Sequence, residues 1–582
     1  MKTPIAYGRG INLKPDWAAV AAAMLFFVSM CAGQLTLDVM YGTATVSGYF
    51  KTHVPQLLQY ALLSVLAFLL ATAFFSIAHP HNAQPTHAKG RSFLEICRHF
   101  IFRDTATMFA CWLPLLLIRF PGNLDPDTLW QLMQTRGLAQ QSNHHPWFDT
   151  MFFSTFWNLG DVLGSHAWSL GIYALLQMCL TALVLSLALS YLRFVIPAGR
   201  HLPAISKLFY CLYPAIPLFS MTMMKDSVFA VFWIPFLICF YEIVRTRGVC
   251  LKNRLFSVFF AIVILMLMLT KKTGVYLVVL SAIPLVLACR GMKKVLCLTW
   301  VFAPVAMFLL VWESLLLPMM GVIKGGEGEI MSLPSQQVAY YLQTHGDEMT
   351  PAGWDALRGV YTSPELLASS YQPGRADFTK RYWKQSTPKE RAAFFAWYGT
   401  EMFRHPGTFA LPALANTLPI YFPDTVTEDD ESLIFYRNNL KSSEMGDAGL
   451  EQTLLEFSGG LGTKEGIADM MSGAYRNPLV SKMSDSFDVL LRNFMSATFP
   501  LFVKCLFTWW IPVLVFLGCL RQKNLRGMLT MIPTIIAWLT LIAGPIALPR
   551  YMVPFVFSAP LLLASPWIGH AAPKAGEAKS GT

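Results

Sequence analysis

Residues 225–272 read KDSVFAVFWIPFLICFYEIVRTRGVCLKNRLFSVFFAIVILMLMLTKK. Two apolar runs, 227–244 and 254–270, are joined by a short turn carrying Arg245, Arg247, Lys252 and Arg254. Lys225, Lys271 and Lys272 close their far ends. In hydrocarbon a backbone must satisfy its own polar groups, which a helix of roughly 20 mostly apolar residues does. Runs of this kind, punctuated by cations, decide for a helical membrane fold. Working outward, the same pattern predicts about twelve spans: 17–34, 54–78, 105–120, 167–191, 203–222, 227–244, 254–270, 274–289, 295–316, 498–519, 526–544 and 551–568.

Composition agrees. The 582 residues are 54% hydrophobic and 14% charged, with a mean hydropathy of +0.46. Soluble domains carry about 25% charged residues. Length alone would suit several soluble domains, but the apolar runs override that prior. The net charge of +11 is topological information rather than a nucleic-acid footprint. The one long polar stretch, 317–497, holds 15 Lys or Arg against 22 Asp or Glu, a net of −7, so the rest of the chain carries +18. None of the 11 cysteines lies in 317–497. Most sit inside apolar runs (Cys179, Cys211, Cys239, Cys297, Cys505), the usage of small hydrophobes rather than of a disulfide framework. Lys2, Arg9 and Lys14 precede the run 18–32 as in a secretory signal. Without a small-x-small cleavage site, the run reads as an uncleaved first span.

Short basic loops orient the chain. Lys89, Arg91, Arg98 and Arg103 fall on one side, with Arg193, Arg200 and Lys207, then Arg245 to Arg254, then Arg290, Lys293 and Lys294, then Arg521, Lys523 and Arg526. The positive-inside rule makes that side cytoplasmic, with both termini. The expected layout is a nine-span membrane domain at 1–316 with an outer loop at 121–166, and a mainly helical outer domain at 317–497. Three spans at 498–568 and a cytoplasmic tail at 569–582 complete it.

The outer loop 121–166 reads PGNLDPDTLWQLMQTRGLAQQSNHHPWFDTMFFSTFWNLGDVLGSH. Asp125 is a candidate general base, because a carboxylate at the membrane surface is partly desolvated and has its pKa raised. Asp127 is a candidate to position an acceptor, or to hold a divalent cation such as Mg or Mn with Asp125. The competing reading is a turn with helix caps, since Asn-Leu-Asp-Pro-Asp is rich in turn formers. His144 and His145 are candidates for phosphate binding or proton transfer, against a capped helix start. The aromatic run 147–159 predicts a helix lying in the interface.

Further cations sit at outer turns: Lys225 beside Asp226, Lys271 with Lys272, and Arg550. Each goes against the charge bias that sets the topology. Together they suit a shared site for phosphate or pyrophosphate, Lys as point charge and Arg as fork; snorkelling to headgroups would account for any one. Segment 317–497 has enough aromatics (Trp354, Trp383, Trp397, Phe394) for a core, and a capped helix start precedes Gln336 and Gln337. Helical patterns fall at 335–345, 387–404 and 450–457. The acidic run 424–431 reads as a solvated loop rather than a cation site. No Walker loop, GxSxG, HExxH or CxxC motif occurs.

An acidic pair after an early span, a many-span body and a large late outer segment resemble the GT-C class of integral-membrane glycosyltransferases. More narrowly, Pro121 to Thr128, His144-His145-Pro146, Leu333 to Gln337 and Pro549-Arg550-Tyr551 resemble an uncharacterised bacterial family of GT-C-like membrane proteins. The resemblance implies a polyprenyl-phosphate sugar donor, a glycan or glycolipid acceptor at the outer face of the cytoplasmic membrane, and a catalytic acid at Asp125 or Asp127. In the GT-C pattern that acid follows the first span; here it follows the third. Alternatives are a flippase for lipid-linked saccharides, an O-antigen polymerase or ligase, and a non-catalytic scaffold. Charges near span ends rather than midplane speak against transport.

Overall fold

The computed structural model is almost wholly helical, and it describes residues 16–40, 42, 49, 53–78, 93–423, 433–435, 448–474, 476–499 and 501–569. Lys2, Arg9, Lys14, Lys89, Arg91, the acidic run 424–431 and the tail from 570 lie outside the described residues. Among the described residues, seven helices are long and apolar enough to cross a membrane. They are Trp17–Met40, Val54–Ile77, Phe100–Ile118, His166–Phe194, Lys225–Thr246, Lys293–Met319 and Leu525–Ile542. Shorter apolar helices, Arg254–Thr270, Gly274–Ala288 and Leu506–Arg521, fall on three more expected spans.

The other two expected spans are broken, and proline explains both. In 203–222, helix His201–Leu212 stops at Tyr213, which is extended (ψ 109°) ahead of Pro214, and a short helix Ala215–Ser220 follows. A residue before proline is pushed out of the helical region. In 551–568, the regular helix is only Val553–Leu563, between a tight turn at Pro549–Met552 and another at Ser565–Trp567.

Lys225–Thr246 is the central helix: 89% of its most apolar stretch is buried, against 22% for the peripheral Val54–Ile77. It packs on His166–Phe194, Arg254–Thr270 and Val553–Leu563. Where hydrocarbon surrounds a helix, van der Waals packing rather than water exclusion holds neighbours together. Gly171 illustrates it, since a methyl group there would come within 2.7 Å of the Phe120 ring.

The two sets of turns gather at opposite ends of this bundle. At one end, buried Asp104 pairs with Arg193 and Lys207, both at 2.9 Å. There Tyr191 also donates to Glu242 at 3.2 Å, and Arg521 pairs with Asp16. At the other end lie 121–127, 221–225, 271–273 and 549–551.

The stretch 317–497 is built in two parts. Residues 331–409 form their own core around Val338, Leu357, Tyr361, Phe394 and Phe409. Helices Ala448–Phe457 and Lys464–Met471 instead return to the bundle end, where Leu454, Ile467 and Met470 pack with Leu129, Leu132 and Trp157. The expected helix at 147–159 is present as Trp147–Leu163, but its aromatics are divided. Trp147, Phe153 and Trp157 are buried with Thr150 and Gly160, at the i, i+3, i+7 spacing of a core face. Its aromatics are therefore core first, and only part of the helix is left for an interface.

Candidate functional site

The acidic loop is fixed from three sides. Arg476 donates to the carbonyls of Arg119 (3.2 Å), Phe120 (3.1 Å) and Gly122. Gly122 sits at φ +112°, and a Cβ there would lie 2.6 Å from the Met221 carbonyl, so the turn requires glycine. Two short strands, β1 (Asn123–Leu124) and β2 (Thr222–Met223), then pair in parallel. The Thr128 hydroxyl donates to the Met223 carbonyl at 2.8 Å. This pairing sets the start of helix Pro126–Thr135 beside the start of Lys225–Thr246.

The result is a connected ionic cluster. Lys225 Nζ donates to Asp127 Oδ2 at 2.6 Å. Arg550 uses both arms of its fork, Nη1 to Asp125 Oδ1 at 2.6 Å and Nη2 to Asp127 Oδ2 at 2.9 Å. Lys225 also lies 2.9 Å from His145 Nδ1. Lys271 pairs with Asp226 at 2.7 Å and stands over the rings of Phe229 and Tyr551. Turns far apart in sequence thus meet in one place.

Asp125 is the helix cap that its turn-rich surroundings suggest, and it is also an ion-pair partner. Its side chain accepts from the Asp127 N–H at 2.9 Å and caps the helix, while it also holds Arg550. Its side chain is 3% exposed and that of Asp127 is 21% exposed. Burial alone would raise Asp127, but the charges of Arg550 and Lys225 outweigh it and hold the carboxyl well below the usual range. Burial, reinforced by Lys225, pushes His145 well below the ordinary histidine value. It is therefore neutral, and its Nδ1 accepts a hydrogen bond from the Lys225 ammonium. Burial disfavours the Arg550 charge, yet the two carboxylates more than restore it.

A divalent cation does not fit this arrangement. The carboxylates of Asp125 and Asp127 are already neutralised by Arg550 and Lys225, and among the described residues no group of three metal-ligating side chains occurs. Gln336 and Gln337 are not in the cluster. Gln336 accepts from Thr379 at 3.0 Å and donates to the Gln372 carbonyl, while Gln337 donates to the Phe409 carbonyl at 2.7 Å and accepts from Tyr398. Both amides face into the core of 331–409, where they brace loops. His144 lies next to His145, 3.7 Å from Glu329, and burial lowers it to about 4. Lys272 stands beside the cluster and makes no ion pair among the described residues.

Two participants escape a sequence reading. Tyr551 closes the cluster under Arg550, with the guanidinium 5.2 Å from the ring centre. Asp149 is fully buried, neither of its oxygens is hydrogen-bonded among the described residues, and burial raises its carboxyl well above the usual range. A lone acid inside an aromatic run was the available signal for the second.

These features define a class: an all-helical chain of membrane-spanning type with a half-buried ionic site at one end of its bundle. Residues 136–422 match a family of unknown function, DUF6020. The match takes in His144, His145, Lys225 and Lys271, and it stops short of Asp125, Asp127 and Arg550. No curated protein and no solved structure matches the chain.

Proposed function

We propose that this protein is a membrane glycosyltransferase that moves a sugar from a polyprenyl-phosphate donor to a glycan, glycolipid or protein acceptor. On this reading it is a bacterial inner-membrane protein with about twelve passes and both termini cytoplasmic, acting at the outer face. The observation that carries the reading is the convergence of an acidic pair with Lys225 and Arg550 at the end opposite the basic loops. A lipid-phosphate sugar is already activated, so the site needs cations for the leaving phosphate and a base for the acceptor.

In the free protein those cations are occupied by the carboxylates. A donor phosphate matches the Arg550 fork and the Lys225 point charge. When it takes them, Asp127 loses its partners and its carboxyl rises toward a useful basicity. Asp127, the more exposed of the pair, then takes the proton of the acceptor hydroxyl. The acceptor oxygen bonds to the anomeric carbon, and the carbon–phosphate oxygen bond breaks with its electrons passing to the phosphate. Asp125 holds the helix start and keeps Arg550 in register. His145, neutral, accepts from Lys225 and fixes its ammonium.

The test is mass spectrometry of surface glycans and lipid-linked sugars in a deletion strain, complemented with wild type, Asp125→Asn or Asp127→Asn. One sugar missing in the deletion, restored by wild type and not by Asp127→Asn, is the expected result. An unchanged glycan profile in the deletion strain rejects the transferase.

A further inference from the structure

A second feature lies beside the ionic cluster. Residues 322–326 run along 141–143, with Ser142 bridged to Ile323 and the Asn143 N–H donating to the Ile323 carbonyl at 2.8 Å. Between this strip, helix Pro126–Thr135 and the turn after Ala448–Phe457 is a cavity of about 300 Å³. Small-molecule sites begin near this size. Its wall includes Trp130, Phe457, Gln140, Ser142, His144 and Lys324. Trp130 and Phe457 meet with ring centres 5.3 Å apart, and Trp130 also stands 5.0 Å from His144 and 5.1 Å from His145. Trp130 is thus a partition, with the cavity on one side and the Lys225–Asp127 pair behind His145 on the other. The Trp130 indole N–H is buried and has no acceptor among the described residues.

The cations here differ from those of the cluster. Among the described residues neither Lys272 nor Lys324 makes an ion pair or a side-chain hydrogen bond. Lys324 lines the cavity, and the Lys272 ammonium abuts the lining residue Gly325, 2.8 Å from where a Cβ would stand. The nearby acids are used elsewhere: Glu329 by Lys380 (2.6 Å), Glu327 by Arg391 (2.9 Å) and Glu313 by Asn143 (3.0 Å). Glu313 and Glu329 attract Lys272 from beyond contact distance. The cavity therefore offers a ring wall, several hydrogen-bonding groups and two uncommitted positive charges.

We propose that this cavity binds a negatively charged sugar unit, its ring against Trp130 and Phe457 and its anion between Lys272 and Lys324. The sugar class rests on the glycosyl-transfer reading, whereas the anion preference rests on the two lysines alone. A phosphate ester and a uronate share this chemistry. Binding here sets the sugar one residue from His145, at the edge of the site holding Asp127.

The test is direct binding to the purified full-length chain in nanodiscs, by calorimetry, with glucose 1-phosphate, glucuronic acid, glucose and inorganic phosphate as probes. At least one anionic sugar binds more tightly than both glucose and inorganic phosphate, and which one binds identifies the anion. Lys272→Glu with Lys324→Glu, both at exposed positions, weakens it by about fivefold or more. Trp130→Ala abolishes it, and Phe457→Ala, at a more exposed position, weakens it in a folded protein. Equal binding of inorganic phosphate, equal binding of glucose, or indifference to the double lysine variant overturns the proposal. Asp127→Asn leaves this binding intact, so an unchanged glycan profile with intact binding rejects the transferase and keeps the site.

Discussion

Two aspartates in this protein each meet an arginine and a lysine within 3 Å, at opposite ends of the helix bundle. Asp104 meets Arg193 and Lys207, both at 2.9 Å, and its side chain is completely covered. Asp127 meets Lys225 at 2.6 Å and Arg550 at 2.9 Å, and its side chain is 21% exposed. The ingredients match, but the surroundings do not. Asp104 bridges helices Phe93–Ile118, His166–Phe194 and His201–Leu212 and has nothing further to do. Asp127 has an open side, a neutral histidine behind its lysine, and a second carboxylate sharing its arginine. A buried ion triad can be a clasp or a site, and access to the carboxylate separates the two.

Substitution at the two aspartates tests this directly and carries the largest expected effects. If the proposed glycosyl transfer holds, Asp127→Asn lowers it by roughly 10²- to 10⁴-fold, the usual worth of a general base, while the protein still purifies as a monodisperse species. Asp104→Asn does the reverse. It strands two cations in a covered place and costs about 3–5 kcal/mol of stability, yet the surviving folded molecules transfer sugar at the wild-type rate. Thermal melts and single-turnover assays on the same preparations read both quantities. Equal loss of activity per folded molecule in the two variants would erase the distinction.

Arg550→Lys sharpens the comparison next. A single ammonium cannot bridge Asp125 and Asp127 as the fork does. Losing one charge-assisted contact of about 1.5–3 kcal/mol lowers donor affinity by on the order of 10- to 100-fold. Arg193→Lys, at the covered triad, leaves donor affinity unchanged. Gly122→Ala follows, at about 1–3 kcal/mol for a side chain at a glycine-only backbone position, with the loss seen as a lower melting temperature and a displaced acidic loop.

The smallest expected effect is on pH. His145 and His144 are both held below the ordinary histidine value, His144 at about 4. A depressed histidine takes up its proton more readily when unfolded, so its stabilisation is complete above about pH 6.5 and falls as pH drops toward 4. The histidine contribution to the melting temperature therefore decreases over that window, and His144→Gln removes part of it. Asp127 adds a further loss only at lower pH, below the unfolded carboxyl value near 4. The raised Asp149 carboxyl gains stability as pH falls over the same window, so the histidine share is read as the difference from His144→Gln, and identical pH slopes in wild type and His144→Gln would contradict the burial of His144.

Much of the architecture was legible beforehand. Helices at 17–40, 54–77, 166–194 and 225–246 follow from apolar runs, and the grouping of Asp127, Lys225, Lys271 and Arg550 at turns of one end follows from charge alternation. The broken span at 203–222 had its signal in Tyr213-Pro214, and proline outweighs hydropathy there because it removes a helical hydrogen bond. Gln336 and Gln337 were misplaced because a helix start says nothing about which protein surface it faces. Trp147, Phe153 and Trp157 read as interfacial because composition does not distinguish a lipid-facing ring from one packed on a neighbouring helix.

The sequence by itself determined the helices, their grouping and the two-sided distribution of charge, because hydropathy is a local property that each run of about 20 residues expresses alone. Only the tertiary structure decided which charges meet. Asp127 finds Lys225 from 98 residues away, and Asp125 finds Arg550 from 425. Such pairs depend on how helices pack and on a two-residue strand pairing between loops. No local pattern encodes that choice, and it is what leaves Lys271 and Lys225 neutralised while Lys324 lines a cavity and Lys272 abuts its wall at Gly325.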